Sequence, residues 1–144
     1  MKLNIKIKKV TPTAQLPTKA HATDAGYDLY ADTCSIEDGV ACYGTGVAVE
    51  IPQGYVGLVF PRSSICNYHL QLSNSVGVID SGYRGEVKAK FNILYNDNGG
   101  RSLYGTGDRI AQLIIMPYPE VTFEEVDELS DSDRGEGGYG SSGR

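Results

Sequence analysis

Asp80 is the carboxylate in this sequence best placed to do chemistry. It directly follows the apolar run at residues 76–79 and precedes the turn-forming pair Ser81-Gly82. A carboxylate at the end of a strand is held rigidly, and a fixed acceptor can orient and deprotonate a water for in-line attack on phosphorus. On local grounds, an Asx turn in which the side chain bonds only nearby backbone is an equally good interpretation.

Tyr83 follows in the same turn and offers a flat aromatic face. Packed against a sugar, such a face leaves no room for a 2'-hydroxyl, which would favour deoxyribose over ribose. The alternative is an aromatic residue that only packs across a hairpin.

Arg62, Ser63 and Ser64 follow an apolar run that ends at Phe60-Pro61. A cation and hydroxyl groups where a strand stops can hold phosphate oxygens. Gln112, in a segment that joins a turn to a strand, could add an amide N–H to the same phosphates. Taken singly, each pattern is explained as well by an ordinary capped turn or a polar strand start.

Residues 130–144 are rich in glycine and serine and have little to bury, so we expect a flexible arm after a β domain at residues 1–129. A dispensable end is the usual outcome for such a composition. This arm nevertheless carries an arginine, a tyrosine and serines among glycines, which suit phosphate binding and stacking on a base.

The elements that must position these residues are predicted to be short strands. Residues 2–8 alternate polar and apolar, and further apolar or alternating runs occupy residues 28–31, 46–51, 55–60, 76–79, 86–94, 110–117 and 121–126. Residues 11–19 contain two prolines and are expected to form a loop, and residues 63–70 are the one helix candidate. The pattern predicts an all-β sandwich or barrel.

Composition excludes several classes of function. A formal net charge of -5 at pH 7 disfavours binding to nucleic acid, while a local pocket for a small phosphate ligand stays compatible with it. Cys34, Cys42 and Cys66 form no zinc-binding pattern, and no P-loop or dinucleotide fingerprint is present. No long apolar stretch appears, so we expect no membrane association and a cytoplasmic location.

Taken together, residues 22–29, 61–64, 77–86, 107–112 and 134–143 resemble the ordered motifs of the trimeric dUTPase family. The resemblance covers nearly the whole chain, and the order of the motifs makes it far more specific than any single motif. It implies a jelly-roll-like β subunit, the dUTPase-like β-clip, assembled as a homotrimer whose active sites are shared between subunits. The implied reaction converts dUTP to dUMP and pyrophosphate, which limits uracil incorporation into DNA and supplies dUMP for dTMP synthesis.

The resemblance also implies roles for individual residues. Asp80 would activate the attacking water and Tyr83 would stack on deoxyribose. The remaining contacts would come from residues that read uracil, namely Asn74, Val78, Ile79 and Lys88, from residues that hold phosphates, namely Arg62, Ser63, Ser64 and Gln112, and from the arm residues Arg134, Tyr139, Gly140, Ser141 and Ser142.

Mg²⁺ is the implied cofactor, held by triphosphate oxygens and water without a cage of protein ligands. Asp28 is assigned either to the subunit interface or to the outer shell of the metal. The sequence departs from the commonest family pattern at Ser64, where glycine is usual, and at Gly82, where a second aspartate often sits. Tyr139 and Ser142 replace phenylalanine and threonine but keep the aromatic face and the hydroxyl group.

Two other functions compete with this interpretation. Arg62-Ser63-Ser64 also resembles the related dCTP deaminase family, but Lys90 stands where the catalytic glutamate of that family would fall. An ammonium group cannot shuttle protons as a carboxylate does, which argues against deamination. A nucleotide-sensing regulator is the second alternative, and the compact loops together with the retained Asp80 favour turnover instead.

Overall fold

The computed structural model describes residues 2–94 and 103–143, and their regular structure is almost entirely β. A short 3₁₀ helix lies at Ser63–Asn67. The strands are β1 (Lys6–Lys9), β2 (Tyr27–Tyr30), β3 (Thr33–Glu37), β4 (Val40–Glu50), β5 (Tyr55–Pro61), β6 (Leu70–Leu72), β7 (Gly77–Ile79), β8 (Glu86–Ile93) and β9 (Arg109–Pro117). The predicted all-β class is therefore confirmed.

The strands form two antiparallel sheets. One has the order β1-β4-β8-β6, with β3 also pairing to β4, and the other has the order β2-β9-β5-β7. The apolar core draws on both sheets, with Tyr43 and Phe91 from the first and Leu29 and Ile110 from the second. The two sheets thus enclose a common core, as in a jelly-roll-like sandwich.

Strand β8 shows how the sequence decides which side chains reach the core. Val87, Ala89 and Phe91 are buried, while Lys88 and Lys90 between them are exposed. Successive side chains of a strand point to opposite faces, so this alternation buries one face and leaves the lysines outside. Phe91 meets Tyr43 of β4 edge to face, with ring centroids 5.8 Å apart.

Strand β3 was not predicted from the sequence; all of its residues are exposed, and Cys34 and Ile36 are its only apolar residues. Its signal lies in the turn that follows. Asp38 and Gly39 have φ values of 48° and 76°, the left-handed pair that a tight β-hairpin turn requires. Asp-Gly is a characteristic sequence for that turn, so the hairpin could have been predicted from the dipeptide.

Other predictions need correction. The strand predicted at residues 121–126 is wrong, because the segment forms no strand and Val121, Phe123 and Val126 are exposed. Apolar residues predict a strand only where they cover a buried face, and these side chains cover none. The helix predicted at residues 63–70 is the shorter 3₁₀ turn, and Leu70 already belongs to β6.

The predicted first strand is present but starts later, at Lys6. Residues 11–19 contain no strand, as expected, and only an isolated bridge joins Thr18 to Asp28. Within the described residues, no helix is long and apolar enough to cross a membrane.

Candidate active site

The segment from Asn74 to Lys88 builds a cavity of about 220 Å³. Strand β7 pairs with β5 in one sheet, whereas β8 pairs with β4 and β6 in the other, so the segment crosses from one sheet to the other. The lining includes the predicted residues Asn74, Val78, Ile79, Asp80, Tyr83 and Lys88. The structure therefore brings the proposed base-reading and water-activating residues together.

The turn that carries Asp80 and Tyr83 is fixed by its own hydrogen bonds. The Tyr83 N–H donates to the Asp80 carbonyl oxygen at 3.0 Å, and the Tyr83 hydroxyl donates to the Glu86 carbonyl oxygen at 3.0 Å. Arg84 donates through Nη1 to the Ser81 carbonyl oxygen at 2.6 Å. The backbone under the Asp80 carboxylate is thus held while the side chain itself stays exposed.

Glycine is required where the Tyr83 ring lies against the chain. A Cβ added at Gly85 would collide with the ring and hydroxyl of Tyr83. Because Gly85 lets the ring lie over it, the tyrosine can hold one face at the cavity with 46% of its surface exposed. Such an exposed ring held by a hydrogen bond can receive a flat or puckered ligand by stacking.

Gly77 keeps the other end of the cavity open. A Cβ there would lie 3.1 Å from Cβ of Val59 and 3.5 Å from Nδ2 of Asn74. The Asn74 amide thus sits beside bare backbone, and the preceding turn contains Ser75 at a φ of 60°. Backbone groups and a side-chain amide at one edge are the donors and acceptors that read a base edge.

Arg62 and Ser64 line a second, larger cavity of about 540 Å³. It shares no lining residue with the cavity at Asp80, and its other lining residues are Asn67, Tyr68, Asp108 and Arg109. Ser63 lies next to it on the 3₁₀ helix and is exposed. Two arginines and hydroxyl groups at one opening, beside the single carboxylate of Asp108, are donors that can hold an anion.

The Gln112 side chain contacts the backbone of the residue that precedes Arg62. In β9, Gln112 is opposite both Asp28 of β2 and Phe60 of β5, and its Nε2 donates to the Pro61 carbonyl oxygen at 3.0 Å. An amide nitrogen carries two N–H groups, so one stays available to a ligand. A Cβ at Gly26 would collide with the Gln112 side chain, which explains why glycine precedes Tyr27.

Arm residues Arg134, Tyr139, Gly140, Ser141 and Ser142 line neither of these cavities. Residues 118–143 contain no strand or helix. The Tyr118 N–H donates to the Gly54 carbonyl oxygen, whereas the hydrogen bonds of residues 130–143 are short-range, such as Arg134 Nε to the Gly137 carbonyl oxygen at 2.8 Å. Tyr139 is fully exposed at a φ of 52°. In one chain, the predicted site residues therefore fall into three groups: those at the smaller cavity, those at the larger cavity and those of the arm.

The sequence alone did not identify Glu86 as a residue that lines the smaller cavity. Its carboxylate accepts the Gly46 N–H at 2.8 Å and lies 3.8 Å from Nζ of Lys88, and the residue lines the smaller cavity. Gly46 and Glu86 are far apart in the sequence, and nothing in either motif indicates the contact. Only the irregular pairing between β4 and β8, at Gly44 to Ala48, brings them together.

The polar side chains of the two cavities can be compared with the ligands that a metal ion requires. Among residues 2–94 and 103–143, no group of three or more His, Cys, Asp or Glu is placed to hold a metal ion. Arginine and hydroxyl groups around the larger cavity suit phosphate oxygens, and phosphate oxygens are themselves good ligands for Mg²⁺. The residues present fit a metal carried by a polyphosphate.

Comparison with solved structures supports the architecture. A mutant of the Staphylococcus bacteriophage 80alpha dUTPase with dUpNHpp superimposes with a TM-score of 0.85 at 30% identity, covering 99% of this chain and 100% of that chain. A mutant dUTPase from phage phi11 of S. aureus, described with a structural Mg(II) ion, gives a TM-score of 0.72 at 28% identity over 88% of this chain and 99% of that one.

Comparison with curated proteins identifies the family. The deoxyuridine 5'-triphosphate nucleotidohydrolase of Corynebacterium glutamicum is 44% identical over 144 residues, covering 97% of this chain and 95% of the relative. That of Clostridium acetobutylicum is 44% identical over 148 residues, covering 98% and 97%. The dUTPase family model matches residues 12–143, and this chain belongs to the dUTPase family.

Proposed function

We propose that the protein hydrolyses dUTP to dUMP and pyrophosphate. The observation that carries the proposal is the cavity in which Asp80, Tyr83 and Asn74 meet. Relatives at 44% identity over nearly the whole chain are named for this reaction, and a similar structure holds the analogue dUpNHpp. Family membership and the local chemistry therefore point to the same substrate.

In this mechanism the Asp80 carboxylate accepts a proton from a water while that water attacks the α-phosphorus. The bond from the α-phosphorus to the bridging oxygen breaks, and pyrophosphate leaves. A carboxylate on a turn held by the Tyr83 N–H can aim a water without moving its backbone. Tyr83 stacks on the deoxyribose and excludes a 2'-hydroxyl.

Uracil is read at the inner end of the same cavity. Asn74 offers both an amide donor and an acceptor, and the backbone around Val78, Ile79 and Lys88 supplies the remaining polar groups. Backbone donors and acceptors keep a fixed pattern, so they discriminate against a base whose exocyclic amine reverses one hydrogen bond. This is the physical basis for preferring dUTP over dCTP.

The triphosphate is held by Arg62, Ser63, Ser64 and Gln112. The guanidinium and hydroxyl groups neutralise and orient the phosphate oxygens, and the free N–H of Gln112 adds a neutral donor. Mg²⁺, bound through phosphate oxygens and water, would offset the charge that develops on the leaving pyrophosphate.

A homotrimer completes the site. The cavity at Asp80 and the cavity at Arg62 share no lining residue and the arm lines neither, so contributions from different subunits would join them. We assign residues 1–129 to the β domain and residues 130–144 to the arm. In the arm, Tyr139 stacks on the base, while Arg134, Gly140, Ser141 and Ser142 cover the γ-phosphate.

The test is product analysis with purified protein, Mg²⁺ and each nucleotide separately. We expect dUMP and pyrophosphate from dUTP at a rate at least tenfold above that with dCTP, dTTP or UTP. With dCTP a matched polar contact is lost, which costs at least that much, and with UTP the 2'-hydroxyl finds no room beside Tyr83. Ammonia released from dCTP would establish a deaminase instead. Tight dUTP binding without product would establish a sensor.

A further inference from the structure

The turn that carries Asp80 contains a glycine that its shape does not require. The Tyr83 N–H closes the turn on the Asp80 carbonyl oxygen, and Ser81 and Gly82 are the central residues. Neither central residue has a positive φ, so the turn is of a kind that most residues can adopt. A Cβ added at Gly82 would meet nothing within 4 Å. Neither backbone conformation nor space therefore demands glycine at this position.

Glycine nevertheless makes the turn less restrained than another residue would. Without a Cβ, Gly82 has access to more backbone conformations than any other residue type, so the turn needs further contacts to keep one shape. That shape matters for chemistry, because the carboxylate of Asp80 projects from the first residue of the turn. A displacement of about 1 Å at a reacting group can cost about a hundredfold in rate.

Arg84 supplies contacts of this kind. Its Nη1 donates to the Ser81 carbonyl oxygen at 2.6 Å and to the Tyr83 carbonyl oxygen at 3.1 Å. This nitrogen carries two N–H groups in the plane of the guanidinium, so one side chain can hold a carbonyl inside the turn and a second one just after it. The side chain thus folds back over the turn that precedes it.

The guanidinium of Arg84 is also within electrostatic reach of the first sheet. Glu50, the last residue of β4, pairs with Nζ of Lys6 at 3.0 Å. The hydrogen bond and the charge of Lys6 lower the pKa of the Glu50 carboxyl, and the charge of Arg84 lowers it further. A nearby opposite charge has this effect, so Arg84 is restrained from the side of β4 as well as by the turn.

From this geometry, and resting on the proposed function, we propose that Arg84 is a positioning residue that fixes the Asp80 turn for attack on phosphorus and compensates for the freedom of Gly82. Contacts to the ligand are held in other ways, since the Tyr83 hydroxyl donates to the Glu86 carbonyl oxygen and β7 is paired with β5. Loss of Arg84 should therefore act on turnover more than on binding.

The experiment is a double-mutant cycle of Arg84→Ala and Gly82→Ala. For the unaltered protein, both single variants and the double variant, kcat is measured with dUTP and Mg²⁺, and affinity for dUpNHpp is measured by calorimetry. Urea denaturation checks that each variant is folded under the assay conditions. Lys90→Ala is the matched control, because it removes an exposed positive charge of β8 and lines neither cavity.

We expect Arg84→Ala to lower kcat by about tenfold to a hundredfold, the effect of a displaced reacting group. Affinity for dUpNHpp should stay within about threefold, because the interaction lost acts in the transition state. In the Gly82→Ala background, the loss of kcat on removing Arg84 should be smaller by about twofold to fivefold, since alanine restrains the turn by itself. Lys90→Ala should leave kcat within about twofold of the unaltered protein.

Three results would overturn the inference: the same loss of kcat in both backgrounds, a loss of dUpNHpp affinity as large as the loss of kcat, or no loss of kcat. If Arg84→Ala does not fold, Arg84→Gln, which keeps one amide donor, decides the matter by the same two comparisons. An unaltered protein that does not hydrolyse dUTP would refute the proposed function itself, and the inference with it.

Discussion

At the scale of single residues, Asp80 combines a held backbone with an exposed carboxylate. The Tyr83 N–H donates to its carbonyl oxygen, whereas the side chain faces the cavity that holds Tyr83 and Asn74. A general base needs this combination, since it must stay in place and still reach a water. Replacing the carboxylate alone should therefore separate binding from turnover.

For Asp80→Asn we expect kcat to fall by about a hundredfold or more, because general base catalysis contributes 10²–10⁴-fold. Affinity for dUpNHpp should stay within about threefold of the unaltered protein, since an amide fills the same volume. Steady-state kinetics and calorimetry measure the two quantities. Asp38→Asn is the control, and near-normal turnover by Asp80→Asn would remove Asp80 from the base role.

How much of the site the sequence predicts depends on how far apart the partners lie. Asp80, Tyr83 and Val78 could be grouped in advance, because one short segment carries them and their motif is specific. The Asp28–Arg62 pair and the contact of Gly26 with Gln112 could not, because each joins residues on different strands. Neither contact leaves a local pattern, so only the folded sheet reveals it.

At the scale of elements, a register shift in the pairing of β4 with β8 helps to hold the smaller cavity in place. Between Gly44 and Ala48 the register against β8 shifts, and the Gly46 N–H freed there is satisfied by the Glu86 carboxylate at 2.8 Å. Gly46 has a φ of 68°, a conformation that favours glycine. The first residue of β8 is thereby tied to β4 and supports Tyr83 through its carbonyl oxygen.

Glu86→Ala should lower the free energy of unfolding by about 1–3 kcal/mol, because it leaves a shielded backbone donor without its acceptor. Urea denaturation followed by circular dichroism measures the change. Glu37→Ala, on the exposed strand β3, is the matched control and should stay within about 0.5 kcal/mol of the unaltered protein. Equal stability of the Glu86 and Glu37 variants would show that the contact contributes nothing.

Strand β8 was predicted correctly, and it has one buried and one exposed face. Strand β3 was not predicted because only Cys34 and Ile36 are apolar in it, and the prediction for residues 121–126 failed because the apolar residues there stay exposed. Periodicity reports burial, and strand pairing follows from it only when a neighbouring strand is present. Phe123, which is 97% exposed, is an apolar residue of this pattern that covers no buried face.

Ending the chain after Leu129 should leave the β domain folded and abolish most dUTP turnover. Residues 130–143 make only short-range hydrogen bonds, so their removal costs the core little, while the proposed closure over the γ-phosphate is lost. Thermal unfolding and product analysis check both parts. A second variant, Tyr139→Ala, keeps the arm and tests stacking alone; full activity of the truncated chain would make the arm dispensable.

At the scale of the whole molecule, an aromatic cluster joins the core to the larger cavity. Tyr43, Phe91 and Tyr104 meet edge to face or tilted, and Tyr68, which lines the larger cavity, stacks on Tyr104 with centroids 4.1 Å apart. The Tyr43 hydroxyl donates to the Tyr104 carbonyl oxygen and accepts its N–H. The Tyr104 hydroxyl is buried without a partner in the described residues.

This cluster predicts a loss of stability at alkaline pH. Burial, followed by the nearby Tyr68, raises the pKa of Tyr104 to about 12, and burial also raises the pKa of Tyr43. An unfolded tyrosine ionises near pH 10. The folded state therefore holds its protons more tightly, and the free energy of unfolding should fall as pH rises from about 10 toward 12.

Tyr104→Phe should weaken that dependence and leave stability at pH 8 unchanged or higher, because it removes an unsatisfied hydroxyl. Tyr43→Phe, the matched comparison, should lose about 1–2 kcal/mol at pH 8, since its hydroxyl makes both bonds to Tyr104. Urea denaturation from pH 8 to 11 measures both variants. A Tyr104→Phe protein less stable than Tyr43→Phe would contradict the assignment.

The separation of the two cavities on one chain gives a test of the proposed trimer. Asp80→Asn inactivates the smaller cavity and Arg62→Ala the larger one, so each variant alone should be inactive. If a site combines cavities from different subunits, a mixed trimer contains sites with both halves intact. With random assembly from equal amounts, the Asp80 cavity and the Arg62 cavity of a given site are each intact with a probability of about one half. About a quarter of the normal activity should therefore return after co-refolding.

Mixtures refolded separately and then combined should stay inactive, because no subunits exchange. If co-refolded material is also inactive, each site lies within one chain, and the shared-site trimer must be given up.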